Sequence, residues 1–221
     1  MDVVIIVGPK HSGKTSAGLA LAKLLSAARQ RGRKKRPGKG ADGLRRAADS
    51  AEPRFVDLDE LIERRTGKSP RTLYREGRDI FHAAEAGALA SLIGEAAVPP
   101  SGRAAAPVIA AGGGIIDNEQ ALALIKNTPG AVTVYLDVPA GAAWARIEAS
   151  ARRDGELPPF LKTENPKETH RALHERRAAA YRNFARITVE AGGKSPEEIA
   201  EEISSLLDDL PRGENHPAAG D

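Results

Sequence analysis

The chain has 221 residues, 41% of them hydrophobic and 29% charged, with a formal net charge of +3. This is length for one compact domain with insertions, and the lack of any cysteine excludes disulfides and thiolate metal sites. No apolar run approaches the roughly 20 residues of a membrane helix, and the start lacks the basic region and long apolar stretch of a signal peptide. A soluble cytoplasmic protein is expected.

Val3 to Val7 is a continuous β-branched run, the pattern of a strand buried on both faces. A glycine-containing loop follows, and Ser16 to Ala28 sets Leu19, Leu21, Leu24 and Leu25 among alanines, which predicts a helix. Much of the basic excess lies between Arg29 and Arg46, where large apolar residues are few. Residues 29–53 therefore read as a solvated insertion rather than a nucleic-acid arm. Arg54 to Asp57 predicts a second strand. A helix is expected from near Asp59 to Gly67, and Ser69-Pro70 opens another turn or helix.

A further helix is expected over Asp79 to Glu95, then a loop over Val98 to Pro107. Val108 begins a third strand that runs into Gly112-Gly113-Gly114. Asn118 to Asn127 predicts a helix, Ala131 to Asp137 a fourth strand, and Ala140 to Ser150 another helix. Pro158, Pro159 and Pro166 mark Ala151 to Lys167 as a mobile excursion. Helix Glu168 to Phe184, strand Ile187 to Glu190 and helix Ser195 to Leu210 complete a domain over residues 1–210, leaving a polar tail at 211–221. Strands and helices alternate throughout, which predicts a five-stranded parallel sheet covered on both faces.

The strongest local signal is Gly8-Pro9-Lys10-His11-Ser12-Gly13-Lys14-Thr15, followed by Ser16. It matches the pattern Gly, four residues, Gly-Lys-Thr, and it joins a hydrophobic strand to a helix, the context this motif requires. Glycines let the backbone curl so that several N–H groups point at phosphates, and the helix start adds its positive dipole end. Lys14 then reaches the β- and γ-phosphates, and the Thr15 hydroxyl faces Mg²⁺. ATP-dependent phosphoryl transfer follows. Asp57 stands at a strand's C-terminal edge, where it can hold the metal through water. Asp59 can orient or deprotonate an attacking hydroxyl, and, since it precedes a helix, it could also serve as an N-cap.

Together with this loop, Asp57-Leu58-Asp59, Gly77, Phe81, Glu85 and Gly112-Gly113-Gly114 resemble the shikimate kinase family. The resemblance runs from Val3 to about Leu206, broken by insertions at 29–53 and 98–106. It implies transfer of the ATP γ-phosphate to the 3-hydroxyl of shikimate, with Mg²⁺, by a monomer. The implied fold is a three-layer α/β/α P-loop kinase domain of the nucleoside-monophosphate-kinase type with a mobile lid at 151–167.

On this resemblance Lys14 and Asp59 are catalytic, Thr15 and Asp57 face the metal, and Gly8 to Ser16 with Arg146 bind the nucleotide. Asp59, His82, Gly112, Gly113, Gly114 and Arg177 bind the acceptor, Arg177 as a clamp on its carboxylate, and Tyr181 packs behind. The chain departs from the family pattern at four places. His82 stands where the family has a second carboxylate-gripping arginine, Pro158 where the lid has an arginine, Arg78 where it has glutamate, and Ala179 where it has proline. Arg152 or Arg153 could supply the lid's missing charge. Two other functions suit the same residues, a kinase of another hydroxylated small molecule and a nucleotide-binding protein without catalysis.

Overall fold

The computed structural model describes residues 2–34, 54–97 and 107–211. In chain order these form β1 (Val3–Val7), α1 (Lys14–Lys34), β2 (Phe55–Asp57), α2 (Leu58–Thr66), α3 (Pro70–Glu76) and α4 (Arg78–Ala97). They continue as β3 (Val108–Ala110), α5 (Glu119–Lys126), β4 (Ala131–Asp137), α6 (Ala140–Asp154), α7 (Pro166–Phe184), β5 (Ile187–Glu190) and α8 (Pro196–Asp208). Short 3-10 turns occupy Ile115–Asp117 and Pro159–Leu161.

The five strands make one sheet in the order β2-β3-β1-β4-β5, every neighbouring pair parallel. This is the parallel sheet expected from the alternating elements, and it agrees with the α/β P-loop kinase fold that the resemblance implies. β1 lies at the centre because all five of its residues are buried and apolar, so no face of it tolerates water. Its side chains alternate between two cores. Val3, Ile5 and Val7 pack with Leu58, Leu89, Ile115 and Tyr181 on one face, while Val4 and Ile6 pack with Leu21, Val134, Val189 and Ile203 on the other. Period-two geometry thus divides one run of valine and isoleucine between two helical layers.

The helix ends follow local chemistry. Pro70 at the first turn of α3 sits behind Ser69, whose hydroxyl accepts from the Thr72 amide. In α8, Ser195 and Glu198 form a reciprocal capping box. Two expectations need correction. The helix predicted to stop at Ala28 runs on to Lys34. Arginine, lysine and glutamine are good helix formers as well as good loop residues, and Gly32 alone in that stretch weakens the helix, by about 1 kcal/mol. The excursion predicted over 151–167 is also shorter. Residues 151–154 complete α6 and Pro166 opens α7, so the non-helical link is residues 155–165 with its 3-10 turn. The remaining insertion at 35–53, the loop at 98–106 and the tail from 212 lie outside the described residues.

The parallel sheet gathers its carboxyl ends along one edge. β1 leads into the loop at Gly8, β2 ends at Asp57, and β3 runs into the triple glycine. The order reverses at β1, and a crevice at such a switch point is where ligands bind in open parallel sheets.

Candidate active site

The loop after β1 has the backbone its sequence demands. Gly8 has φ +148°, and a Cβ there would lie 2.9 Å from the Leu136 carbonyl oxygen of β4. A side chain fits neither the torsion nor the space. His11 has φ 61°, alone among the described non-glycine residues in having positive φ. Ser12 is buried, and its amide donates to the Pro9 carbonyl at 3.2 Å. Lys14 folds back into the loop, its ammonium donating to the carbonyls of Gly8 at 2.9 Å and Pro9 at 2.7 Å. Burial lowers its pKa to about 8, against the opposing pull of Asp59 and Asp57. Ser16 is exposed in the first turn of α1. Arg146, on α6, donates to the His11 carbonyl at 2.8 Å, which places it against the loop.

Thr15 and Asp57 meet, the threonine hydroxyl donating to Asp57 Oδ2 at 2.7 Å across a separation of 42 residues. A hydroxyl and a carboxylate at that spacing are hard oxygen donors on one side of the cleft. They suit Mg²⁺, which keeps most of its waters and takes few protein ligands. The other oxygen of Asp57 caps α2, accepting from the Asp59 amide at 3.0 Å. The N-cap is therefore Asp57, the last residue of the strand and two residues earlier than the position expected, and Asp59 falls in the first turn of the helix with its side chain released from capping.

Asp59 reaches solvent along the open cleft, yet protein crowds it on the other sides. That desolvation, with the charge of Asp57, raises its pKa above the ordinary carboxylate value, and Lys14 opposes the shift. The triple glycine lies against it. A Cβ on Gly112 would stand 3.2 Å from Asp59 Oδ1 and 2.6 Å from Glu85 Oε1. On Gly113 it would meet the Lys10 amide nitrogen at 2.8 Å, and on Gly114 the Arg177 Nη2 at 3.2 Å. One bare turn thus touches the phosphate loop, Asp59 and Arg177 together. Arg177, from α7, donates through Nη1 to the Gly113 carbonyl at 3.1 Å.

His82, on α4, is partly buried. Burial and then the charge of Arg78 lower its pKa, so it offers a neutral ring where the family pattern has a guanidinium. Pro158 precedes the 3-10 turn in which Leu161 is buried with Trp144 and Ile147. Arg152 and Arg153 are exposed in the last turn of α6. Tyr181 is fully buried and stacks on Tyr135, ring centroids 5.2 Å apart.

Four further residues belong to this cleft and had no role assigned from sequence. Glu85 is fully buried. Its Oε2 accepts from Asn118 Nδ2 at 2.9 Å, while Oε1 has no hydrogen-bond partner. Burial raises its pKa to about 7 despite the Asn118 hydrogen bond. Asn118 also donates to the His82 carbonyl at 2.9 Å and caps α5, tying the start of α5 to α4. Asp117 receives both Arg176 and Arg177. Burial alone would raise its carboxyl, but the bonds from these arginines outweigh it and hold the pKa below the usual value. The signal for Glu85 was its place four residues after Phe81. Asp117, Asn118 and Arg176 carried none beyond adjacency to the glycines and to Arg177.

A family model described as shikimate kinase matches residues 38–208. The shikimate kinase of Thermus thermophilus is 36% identical over 159 residues, covering 69% of this chain and 75% of that protein. Shikimate kinase 2 of Escherichia fergusonii is 31% identical over 208 residues, covering 94% and 92%. Among solved structures, shikimate kinase from Acinetobacter baumannii in complex with shikimate superposes with a TM-score of 0.69 at 27% identity, covering 94% of each chain. A matching family model over most of the chain, with these relatives and this sheet, makes the chain a member of the shikimate kinase family.

Proposed function

We propose that this protein transfers the γ-phosphoryl group of ATP to the 3-hydroxyl of shikimate, yielding shikimate 3-phosphate and ADP. Family membership makes it an ATP-dependent phosphotransferase with an alcohol acceptor. The observation that carries the reading is the shared turn. Gly112 to Gly114 touch Asp59, the phosphate loop at Lys10 and the Arg177 guanidinium, so groups suited to a hydroxyl, a phosphate and a carboxylate line one crevice.

In this reading the loop amides and Lys14 cradle the triphosphate, the ammonium exchanging its carbonyl partners at Gly8 and Pro9 for phosphate oxygens. Thr15 and, through water, Asp57 would hold Mg²⁺, which supplies charge neutralisation at the phosphates when bound. Arg146 lies along the nucleotide. Asp59 accepts the hydrogen bond of the attacking hydroxyl, and its raised pKa makes it a better proton acceptor than an ordinary aspartate. The hydroxyl oxygen bonds to the γ-phosphorus as the bond to the bridging oxygen of ADP breaks. Arg177 grips the acceptor carboxylate, and the segment between α6 and α7 closes over the cleft to exclude water.

The test is purified protein with Mg-ATP and shikimate, following ADP release and identifying the product by phosphorus NMR. Stoichiometric shikimate 3-phosphate is expected. Turnover only with another polyhydroxylated acid would assign the fold's chemistry to a different acceptor, and ATP binding without transfer to any acid would remove the catalytic reading.

A further inference from the structure

The family pattern grips the acceptor carboxylate with two arginines, and in this chain the position of one is His82. A neutral imidazole cannot replace a guanidinium fork, so the question is what else in the cleft organises positive charge there. The structure offers a compact answer on the far side of Arg177. Asp117 stands in the 3-10 turn next to the triple glycine. Its Oδ2 accepts from Arg177 Nε at 2.9 Å and Nη2 at 2.6 Å. The neighbouring Arg176 spans both carboxylate oxygens, Nη1 to Oδ1 at 2.9 Å and Nη2 to Oδ2 at 3.2 Å.

These contacts leave a definite remainder. A guanidinium has five N–H bonds in a rigid plane. Asp117 takes Nε and one N–H of Nη2, and the Gly113 carbonyl takes one of Nη1. One N–H on each terminal nitrogen is left over to donate to a ligand carboxylate. The plane of Arg177 is fixed by three hydrogen bonds before any ligand arrives. The charges also sum favourably, since two arginines surround one aspartate and the group remains cationic. Arg176 is 59% exposed at its side chain, whereas Asp117 and Arg177 are 11% and 18% exposed, so Arg176 serves as the outer brace of an otherwise enclosed pair.

We propose that Asp117, braced by Arg176, is a positioning residue that fixes the Arg177 guanidinium for the carboxylate of the acceptor, and that this assembly takes over from the arginine absent at position 82. The inference rests on the reading of Arg177 as the carboxylate clamp. Without Asp117 the Arg177 side chain regains rotamers and loses its charge-assisted anchor, and the cost falls on acceptor binding alone.

The experiment is steady-state kinetics of wild type, Asp117→Asn and Arg176→Gln, using shikimate, its methyl ester and a panel of other hydroxylated acids. For Asp117→Asn, KM for the acid that wild type uses is expected to rise about tenfold or more, with kcat and the KM for ATP within about twofold. With the methyl ester, which lacks the negative charge, that penalty should shrink to within about twofold. Arg176→Gln, at an exposed position, should raise the same KM about two- to fivefold and carries the test if Asp117→Asn does not fold. An unchanged or lowered KM in the variants, or an equal penalty on acid and ester, overturns the inference, the lowered case marking Asp117 as a competitor for Arg177. Wild-type turnover of a different hydroxy acid would remove the shikimate assignment and leave this test intact. Turnover only of acceptors lacking a carboxylate would overturn the inference as well.

Discussion

Lys14 and His82 show how much one side chain decides. The Lys14 ammonium is buried on two loop carbonyls, a position from which it can move onto phosphate oxygens with little change in its stem. Lys14→Ala should reduce phosphoryl transfer by about a thousandfold or more, while the melting temperature stays near that of wild type. Initial rates at saturating Mg-ATP, beside a thermal melt, check both halves. At position 82 the prediction runs the other way. His82 has its pKa lowered by burial and by Arg78, so it brings no charge at neutral pH. His82→Arg adds a fork near Arg177, and a charge-assisted contact is worth on the order of 1.5–3 kcal/mol. The KM for shikimate should fall about tenfold with kcat little altered, and a KM that stays level or rises would show that residue 82 does not face the carboxylate.

Elements set the distances at which these side chains work. β2 ends and α2 begins at a single residue, Asp57, whose two oxygens serve the helix N-terminus and Thr15 at once. The start of α2 is thereby tied to the phosphate loop, and Asp59 follows one residue into the helix, aimed at the cleft. The turn after β3 has a similar economy. Gly112 has no room for a methyl group, because Glu85 Oε1 would stand 2.6 Å away and the other Glu85 oxygen is held by Asn118. Gly112→Ala should destabilise the protein by about 1–3 kcal/mol through overpacking. It should also raise the KM for the acceptor at least tenfold while the affinity for ATP changes little. Denaturant unfolding and nucleotide titration separate those two effects. An equal loss on both ligands would place the strain in the phosphate loop instead.

At the level of the whole molecule, folding confines a carboxyl group that the unfolded chain would hydrate. Glu85 has a pKa of about 7 in the folded state, above its ordinary 4.5, chiefly from burial. Between those values the folded protein binds more protons than the unfolded one, so stability falls as pH rises through that window. Below it the penalty vanishes, and above about pH 7 it is complete. Glu85→Gln removes the titration. Relative to wild type, the variant should gain on the order of 1–3 kcal/mol on going from pH 5 to pH 8. Melting curves at the two pH values test this, and a difference that does not change with pH would contradict it.

Much of the architecture was legible along the chain because the period and composition of each segment admit few solutions. An unbroken β-branched run such as Val3 to Val7 has to be buried on both faces, and a strand, a Gly-x4-Gly-Lys-Thr loop and a helix in that order leave little freedom for where phosphates sit. The helix boundaries that failed, at Ala28 and at Ala151, failed where arginine and lysine serve helix and loop equally well. The long-range partners were another matter. That Thr15 finds Asp57, that Glu85 is left with one unpaired oxygen beside Gly112, and that Asp117 clasps two successive arginines of α7 are consequences of bringing distant segments to one sheet edge. Local sequence determined the elements and the phosphate loop, because those depend on neighbours in the chain. Only the tertiary structure decided which charges face one another, because that depends on the order of the strands and the packing of helices upon them.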